Sequence, residues 1–125
     1  MSEKFQIRDM TVLDTDRQKV ITINDKEKFK IKAPSPRERK EISRRIVIEQ
    51  NGLPTDSFTR DDKFIFTRDA WINTLIVEHP EWWSNTEACL DEELKDTLYE
   101  KMLEWDREFQ EKLKKNQFAK RGTES

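Results

Sequence analysis

The segment Ala33-Pro34-Ser35-Pro36-Arg37-Glu38 most constrains how this chain folds. Ser35 is placed to cap a helix. Pro36 sits at the first helical position, where its missing N–H costs nothing, and Glu38 three residues after the cap completes a capping box. A helix is predicted over 36–50, stopped by Asn51-Gly52 and followed by Pro54. The boundary separates two kinds of pattern: alternation of polar and apolar residues before it, and recurrence at helical spacing after it.

Before the boundary, residues 4–8 alternate and read as a short strand, and 9–18 read as a polar loop containing Met10, Val12 and Leu13. Residues 19–23 and 28–32 flank Asn24-Asp25-Lys26-Glu27 as the arms of a β-hairpin. Ile21 and Ile23 share one face, with Phe29 and Ile31 opposite them, while Lys28, Lys30 and Lys32 point the other way. A lone hairpin is marginal in water, so its apolar face is expected to pack on helices.

After the boundary, a second helix is predicted over 60–78, capped by Thr59 with Asp62 and followed by Pro80. Phe64, Ile65, Trp71, Ile72, Leu75 and Ile76 form one stripe. Phe66, Ala70 and Val77 form a second patch, which suits either a central helix or an interface. A third helix is predicted over 90–118, where Leu90, Leu94, Leu98, Met102, Trp105, Phe109 and Leu113 recur at spacings of three and four. Such a helix is about 40 Å long. Two shorter helices and a hairpin do not easily cover it. Either the whole stripe is intramolecular core, or the half from Trp105 onward packs on another chain. The expected fold is mainly α: a three-helix small domain with a short N-terminal β-hairpin (residues 1–33) and a long amphipathic C-terminal helix. A single domain over 1–118 is expected, with a disordered polar tail over 119–125.

The surface follows from composition. Charged residues make up 40% of the 125 and hydrophobic residues 34%, against about a quarter charged in an average domain. A thin core and a densely charged exterior result. The charge is zoned, with net +6 over 26–45, −8 over 81–111 and +5 over 112–121. Zones of this kind are either solvated faces, whose exposed ion pairs are worth about 0–1 kcal/mol each, or docking surfaces for a second copy or a charged protein. Arg37, Arg39, Lys40, Arg44 and Arg45 form a basic surface on the first helix. A pI of about 5.6 and tryptophans set in acidic sequence argue against nucleic acid as the partner.

Other classes lack their equipment. Two glycines exclude phosphate-cradling loops, and one His with one Cys cannot build a zinc site from this chain alone. No apolar run is long enough for a transmembrane helix, and the first five residues carry no signal segment. With a single cysteine, the expectation is a reducing, intracellular setting. His79 reads as a helix-end residue, Cys89 as a small buried apolar one, and no spacing suggests a catalytic triad. No catalytic residue, metal or cofactor is expected. The candidate partner-binding residues are Trp82, Trp83, Trp105, Phe109, Leu113 and Phe66. The adjacent Trp82 and Trp83 cannot both enter one core easily, and exposed tryptophans dominate interface hot spots.

The order of parts resembles a known family. The relevant segments are Ile31-Lys-Ala-Pro-Ser-Pro-Arg-Glu-Arg39, Asn51-Gly-Leu-Pro54, Glu78-His-Pro-Glu-Trp-Trp83, Leu90-Asp-Glu-Glu-Leu94 and Glu104-Trp-Asp-Arg-Glu-Phe109. Together they look like the small tail assembly chaperones of long-tailed bacteriophages, over residues 28–113. The resemblance implies a non-catalytic protein of the host cytoplasm that coats the helical tape measure protein, recruits tail tube protein and is absent from the mature virion. Members of that family are often made in two lengths by ribosomal frameshifting, with which Lys114-Lys115 is compatible. The N-terminal hairpin departs from that mainly helical family. The rival functions are a structural tail or connector component retained in the virion, and a small nucleic-acid-binding regulator.

Overall fold

The computed structural model describes residues 4–7 and 10–115. Strands β1 (Lys4–Ile7) and β2 (Met10–Leu13) pair antiparallel and lead through a 3-10 turn, Asp14–Arg17, into β3 (Gln18–Ile23) and β4 (Glu27–Lys32). Helix α1 (Pro36–Gln50), a 3-10 turn (Thr55–Ser57) and helix α2 (Arg60–Leu75) follow. Strand β5 (Ile76–Glu78) and helix α3 (Glu92–Lys114) complete the order.

The fold is mixed α/β, and this corrects the mainly α expectation. Three helices accompany a three-stranded antiparallel sheet of order β3-β4-β5 and a separate two-stranded sheet, β1-β2. Two local misreadings account for the difference. Residues 10–13, expected in a loop, pair with 4–7 in register from Lys4↔Leu13 to Ile7↔Met10. Residues 76–78, expected to end the second helix, become extended at Ile76 (φ −76, ψ 127) and pair with β4 through Ile31↔Ile76 and Lys30↔Glu78. Ile76 and Val77 are β-branched and Pro80 disfavours helix just before it, so the strand fits this sequence once β4 offers an edge. Helix α3 also starts two residues later than predicted, at Glu92, and is described to Lys114. The expected tail at 119–125 lies outside the described residues.

Local chemistry explains the elements that form as read. Asn24 (φ 57) and Asp25 (φ 63) turn the β3–β4 hairpin, and both residue types tolerate the left-handed conformation. Register Ile21↔Phe29 puts Ile21, Ile23, Phe29 and Ile31 on one buried face. At α1, the Glu38 N–H donates to Ser35 Oγ (3.2 Å) and the Ser35 N–H donates to Glu38 Oε1 (2.9 Å). Thr59 and Asp62 repeat the device at α2.

The core joins that sheet face to Ile72 and Leu75 of α2, Trp83, and Leu94, Leu98, Met102, Trp105 and Phe109 of α3. Helix α3 therefore lies against β3 and β4 as well as α2, while α1 packs on α2. The sheet supplies the cover that the helices alone could not, so the inner stripe of α3 is buried at home as far as Phe109. The Trp105 indole donates to the Arg17 carbonyl at 2.7 Å, which ties α3 to the turn before β3.

Candidate protein-binding surface

Of the six candidate partner-binding residues, three are not available. Trp83, Trp105 and Phe109 are each buried in the core, which corrects their expected place on a surface. Leu113 is half-buried and packed against the same core. Phe66 is half-buried, with its ring edge-on to Phe58 at 5.1 Å. Trp82 is 51% exposed. The adjacent tryptophans thus divide, one inward and one at the surface.

The basic surface on α1 is partly neutralised by the chain's own carboxylates. Arg39 donates to both oxygens of Asp106 (2.9 and 3.1 Å), and Arg44 and Arg45 both reach Glu41 (2.6 and 3.4 Å). Arg37 and Lys40 are exposed beside them.

Exposed apolar side chains among the described residues include Val47 and Ile48 on α1 and Leu53 after it, and two further surfaces bring aromatic rings to the exterior, both misassigned by sequence periodicity. The first is a ridge along the α2–α3 seam. Phe64 (45% exposed) meets Tyr99 edge-on at 5.7 Å, and Trp71 meets the same ring at 6.0 Å. Leu103 (38% exposed), one turn beyond Tyr99 on α3, extends the ridge. A helical wheel counts Phe64 as core, but the N-terminal half of α2 runs past the core, which takes Ala70, Ile72 and Leu75 from this helix as buried members with Trp71 packed against them.

Below the ridge, Arg68 is buried and bridges Asp69 (3.0 Å), Glu92 (3.0 Å) and Asp96 (2.8 Å). Burial opposes its charge, but hydrogen bonds to Asp96 and Asp69 outweigh that and raise the guanidinium pKa. Lys95, also buried, donates to the Thr86 carbonyl at 3.0 Å and pairs with Glu92 at 2.8 Å. These contacts fix the seam, so the ridge is presented by a held scaffold. Burial also raises the Tyr99 hydroxyl pKa, so the ring is neutral.

The second surface is a cup of about 480 Å³ between the β3–β4 turn and the start of α3. Asn24, Lys26 and Glu27 form one wall, and Cys89, Leu90 and Asp91 form the other. Trp82, Trp83 and Leu94 also line it. The Trp82 indole donates to Glu27 Oε2 at 2.9 Å and its ring stands edge-on to Trp83 at 6.0 Å, so this wall is fixed in place. Leu90 at the rim is 94% exposed.

A local signal does exist for that exposure. Asp91 caps α3, accepting from the Leu94 N–H at 3.0 Å, so Leu90 occupies the position that usually packs on the fourth helical residue. That residue here is Lys95, which is committed to Thr86 and Glu92. Leu90 is left without its usual intramolecular partner.

Among the described residues no group of His, Cys, Asp and Glu side chains could hold a metal ion, and no helix is long and apolar enough to cross a membrane. His79 Nδ1 lies 2.8 Å from the Pro80 carbonyl. The arrangement offers apolar walls and fixed aromatics, which is the chemistry of holding another polypeptide. In comparisons with known proteins, the chain matches no family model, no curated protein and no solved structure.

Proposed function

We propose that this chain is a tail assembly chaperone of a long-tailed bacteriophage. It binds the tape measure protein without covalent chemistry, keeps it soluble in the host cytoplasm and promotes assembly of tail tube protein around it. The layout over residues 28–113 supports the reading. The observation that carries it is the Phe64–Tyr99–Leu103 ridge, an apolar row along two helices of a chain in which 40% of the residues are charged. A ridge of this form suits the apolar face of an amphipathic client helix, whose anchors recur every three or four residues. Burying what is still exposed of Phe64 (45%) and Leu103 (38%) would contribute roughly 1 kcal/mol each before association entropy, a contact that is readily released.

Co-expression with a tape measure protein tests the proposal. The expected result is a rise in soluble client and co-purification of the two chains, both reduced by Phe64→Ser with Leu103→Ser. An insoluble client that leaves this chain behind on purification would sink the idea. Recovery of the chain from purified particles would instead favour a structural tail component. The regulator reading is less well supported, because Arg39, Arg44 and Arg45 are engaged by carboxylates.

A further inference from the structure

We infer that α1 of one copy of this chain docks antiparallel on the outward side of α3 in the next copy, so that copies add head to tail. The inference does not depend on the chaperone reading and uses no residue of the client ridge. Its first observation is a line of carboxylates. Glu93, Glu100, Glu104 and Glu111 recur along α3 at spacings of seven, four and seven, which at about 100° per residue keeps all four within roughly 40° of one another. All four are exposed, and none forms an ion pair among the described residues. Like charges one turn apart on a helix repel, so a cationic partner relieves a repulsion that the chain leaves standing.

The second observation is the outward face of α1. Arg37, Lys40 and Arg44 lie there with Val47 and Ile48 (62% and 63% exposed), and Leu53 follows at 54%. Arg44 is shared with Glu41 at 2.6 Å, but Arg37 and Lys40 form no ion pair among the described residues. From its N-terminus onward, α1 thus presents cations and then apolar side chains. From Glu104 backward, α3 presents Glu104, Glu100 and Glu93 and then Leu90, which is 94% exposed. Arg37 to Ile48 and Glu104 to Glu93 each span about 16 Å at 1.5 Å per residue. Laid antiparallel with Arg37 beside Glu104, cations meet carboxylates and the apolar end of α1 arrives at Leu90. Arg107, which interrupts the glutamate line, lies beyond the docked stretch. A parallel docking would lay Val47 and Ile48 on Glu104 and is disfavoured.

The chain already makes this match once within itself. Arg39 of α1 donates to both oxygens of Asp106 on α3, at 2.9 and 3.1 Å. At about 100° per residue Asp106 lies roughly 140° round α3 from the glutamate line, so a copy's own α1 leaves that line open. Two different surfaces meet, so each added copy exposes one of each, and growth continues to a ring or a filament. Exposed ion pairs are individually weak and screened by salt, so the expected affinity is micromolar and salt-dependent.

Sedimentation velocity of the full chain without client, over a concentration series, tests the inference. The wild type is expected to grow beyond two copies, with association weakened at least about tenfold between about 0.05 M and 0.5 M salt. Arg37→Glu with Lys40→Glu should be monomeric, and so should Glu100→Lys with Glu104→Lys, because each sets like charges against like. An equimolar mixture of the two variants should associate again, since each carries the charge that the other's altered face now needs. All four substituted residues are exposed, so circular dichroism and melting temperature should stay close to those of the wild type.

A monomeric wild type, association that stops at two copies, or association indifferent to either reversal would each overturn the inference. So would variants that stay apart when mixed, because the two faces would then not be each other's partners. A wild type monomeric alone, whose tape measure binding is lost in Arg37→Glu with Lys40→Glu, would overturn it too and give α1 to the client.

Discussion

Arg17 and Arg68 are both buried arginines ringed by carboxylates, yet they sit in different electrical surroundings. Arg17 bridges Asp14 and Glu38 and donates to the Ala33 carbonyl at 2.9 Å, and the Glu38 side chain is only 16% exposed. Burial works against the Arg17 charge, but the hydrogen bonds it donates to Asp14 and Glu38 outweigh that and raise its pKa. The cluster joins the turn before β3, the end of β4 (through Lys32 to Glu38) and the cap of α1. Arg68, in contrast, reaches Glu92 and Asp96, whose side chains are 63% and 50% exposed. Of two clusters alike in composition, one is sealed and organises the fold, while the other opens to water and braces a surface. The sealed cluster should dominate stability, and the open one should feel salt.

The largest expected effect breaks the sealed side. Arg17→Ala leaves Asp14 and Glu38 without their shared cation and should cost about 3–5 kcal/mol in urea unfolding, the usual loss when one partner of a buried pair is removed. A loss below 1 kcal/mol would show that the cluster is not sealed.

Next is the acid limb. Burial alone would raise the Glu38 pKa, but Lys32, the Ser35 N–H and Arg17 bring it down to about 2, from 4.5. A carboxyl with a depressed folded pKa adds stability above pH 4.5 that is lost as pH falls toward 2, on the order of 3 kcal/mol. In Glu38→Gln the fall in melting temperature across that window should flatten. An unchanged slope would assign acid sensitivity to other groups.

Arg68→Ala should cost less, about 1–3 kcal/mol. Its penalty should shrink between low salt and 1 M salt, where the screening length is about 3 Å, whereas that of Arg17→Ala should hardly move. The smallest effect is at Lys30–Glu78, an exposed pair at 2.9 Å across β4 and β5. Lys30→Ala should change stability by less than about 1 kcal/mol, and a larger loss would mean that β5 depends on that pair.

Legibility in the sequence tracked the range of the forces involved. The caps at Ser35 and Thr59 rest on residues three apart, and the β3–β4 register rests on alternation around a short turn, so both could be read from neighbours. The α3 stripe from Leu94 to Phe109 was also legible as a stripe, but whether its cover came from this chain or another was not. That cover comes from Ile21, Ile23, Phe29 and Ile31. Strand β5 was hidden because Ile76 and Val77 suit a helix end or a strand equally well, and the deciding edge lies in β4, more than forty residues earlier. The candidate site fared worse. Neither Arg17 nor Arg68 stood out, because a charge pattern cannot show that carboxylates will close around one arginine. Trp82 and Trp83 are chemically identical neighbours, and Phe29 stands edge-on to both (6.3 and 5.6 Å), so only the wider tertiary packing decides that Trp83 is buried and Trp82 is not. Leu90 was the missed opportunity: its place before a capping Asp, with Lys95 where an apolar partner would stand, was visible throughout.

The junction at Ile76 has a mechanical corollary. Helix α2 ends at Leu75 and β5 begins at the next residue, so the polypeptide has no slack there and no joint about which the helix can swing. A pull on Phe64 travels down a stiff spar into the seam with β4. On the proposed chaperone reading, a client would be let go by slipping off the ridge, while the protein beneath keeps its shape.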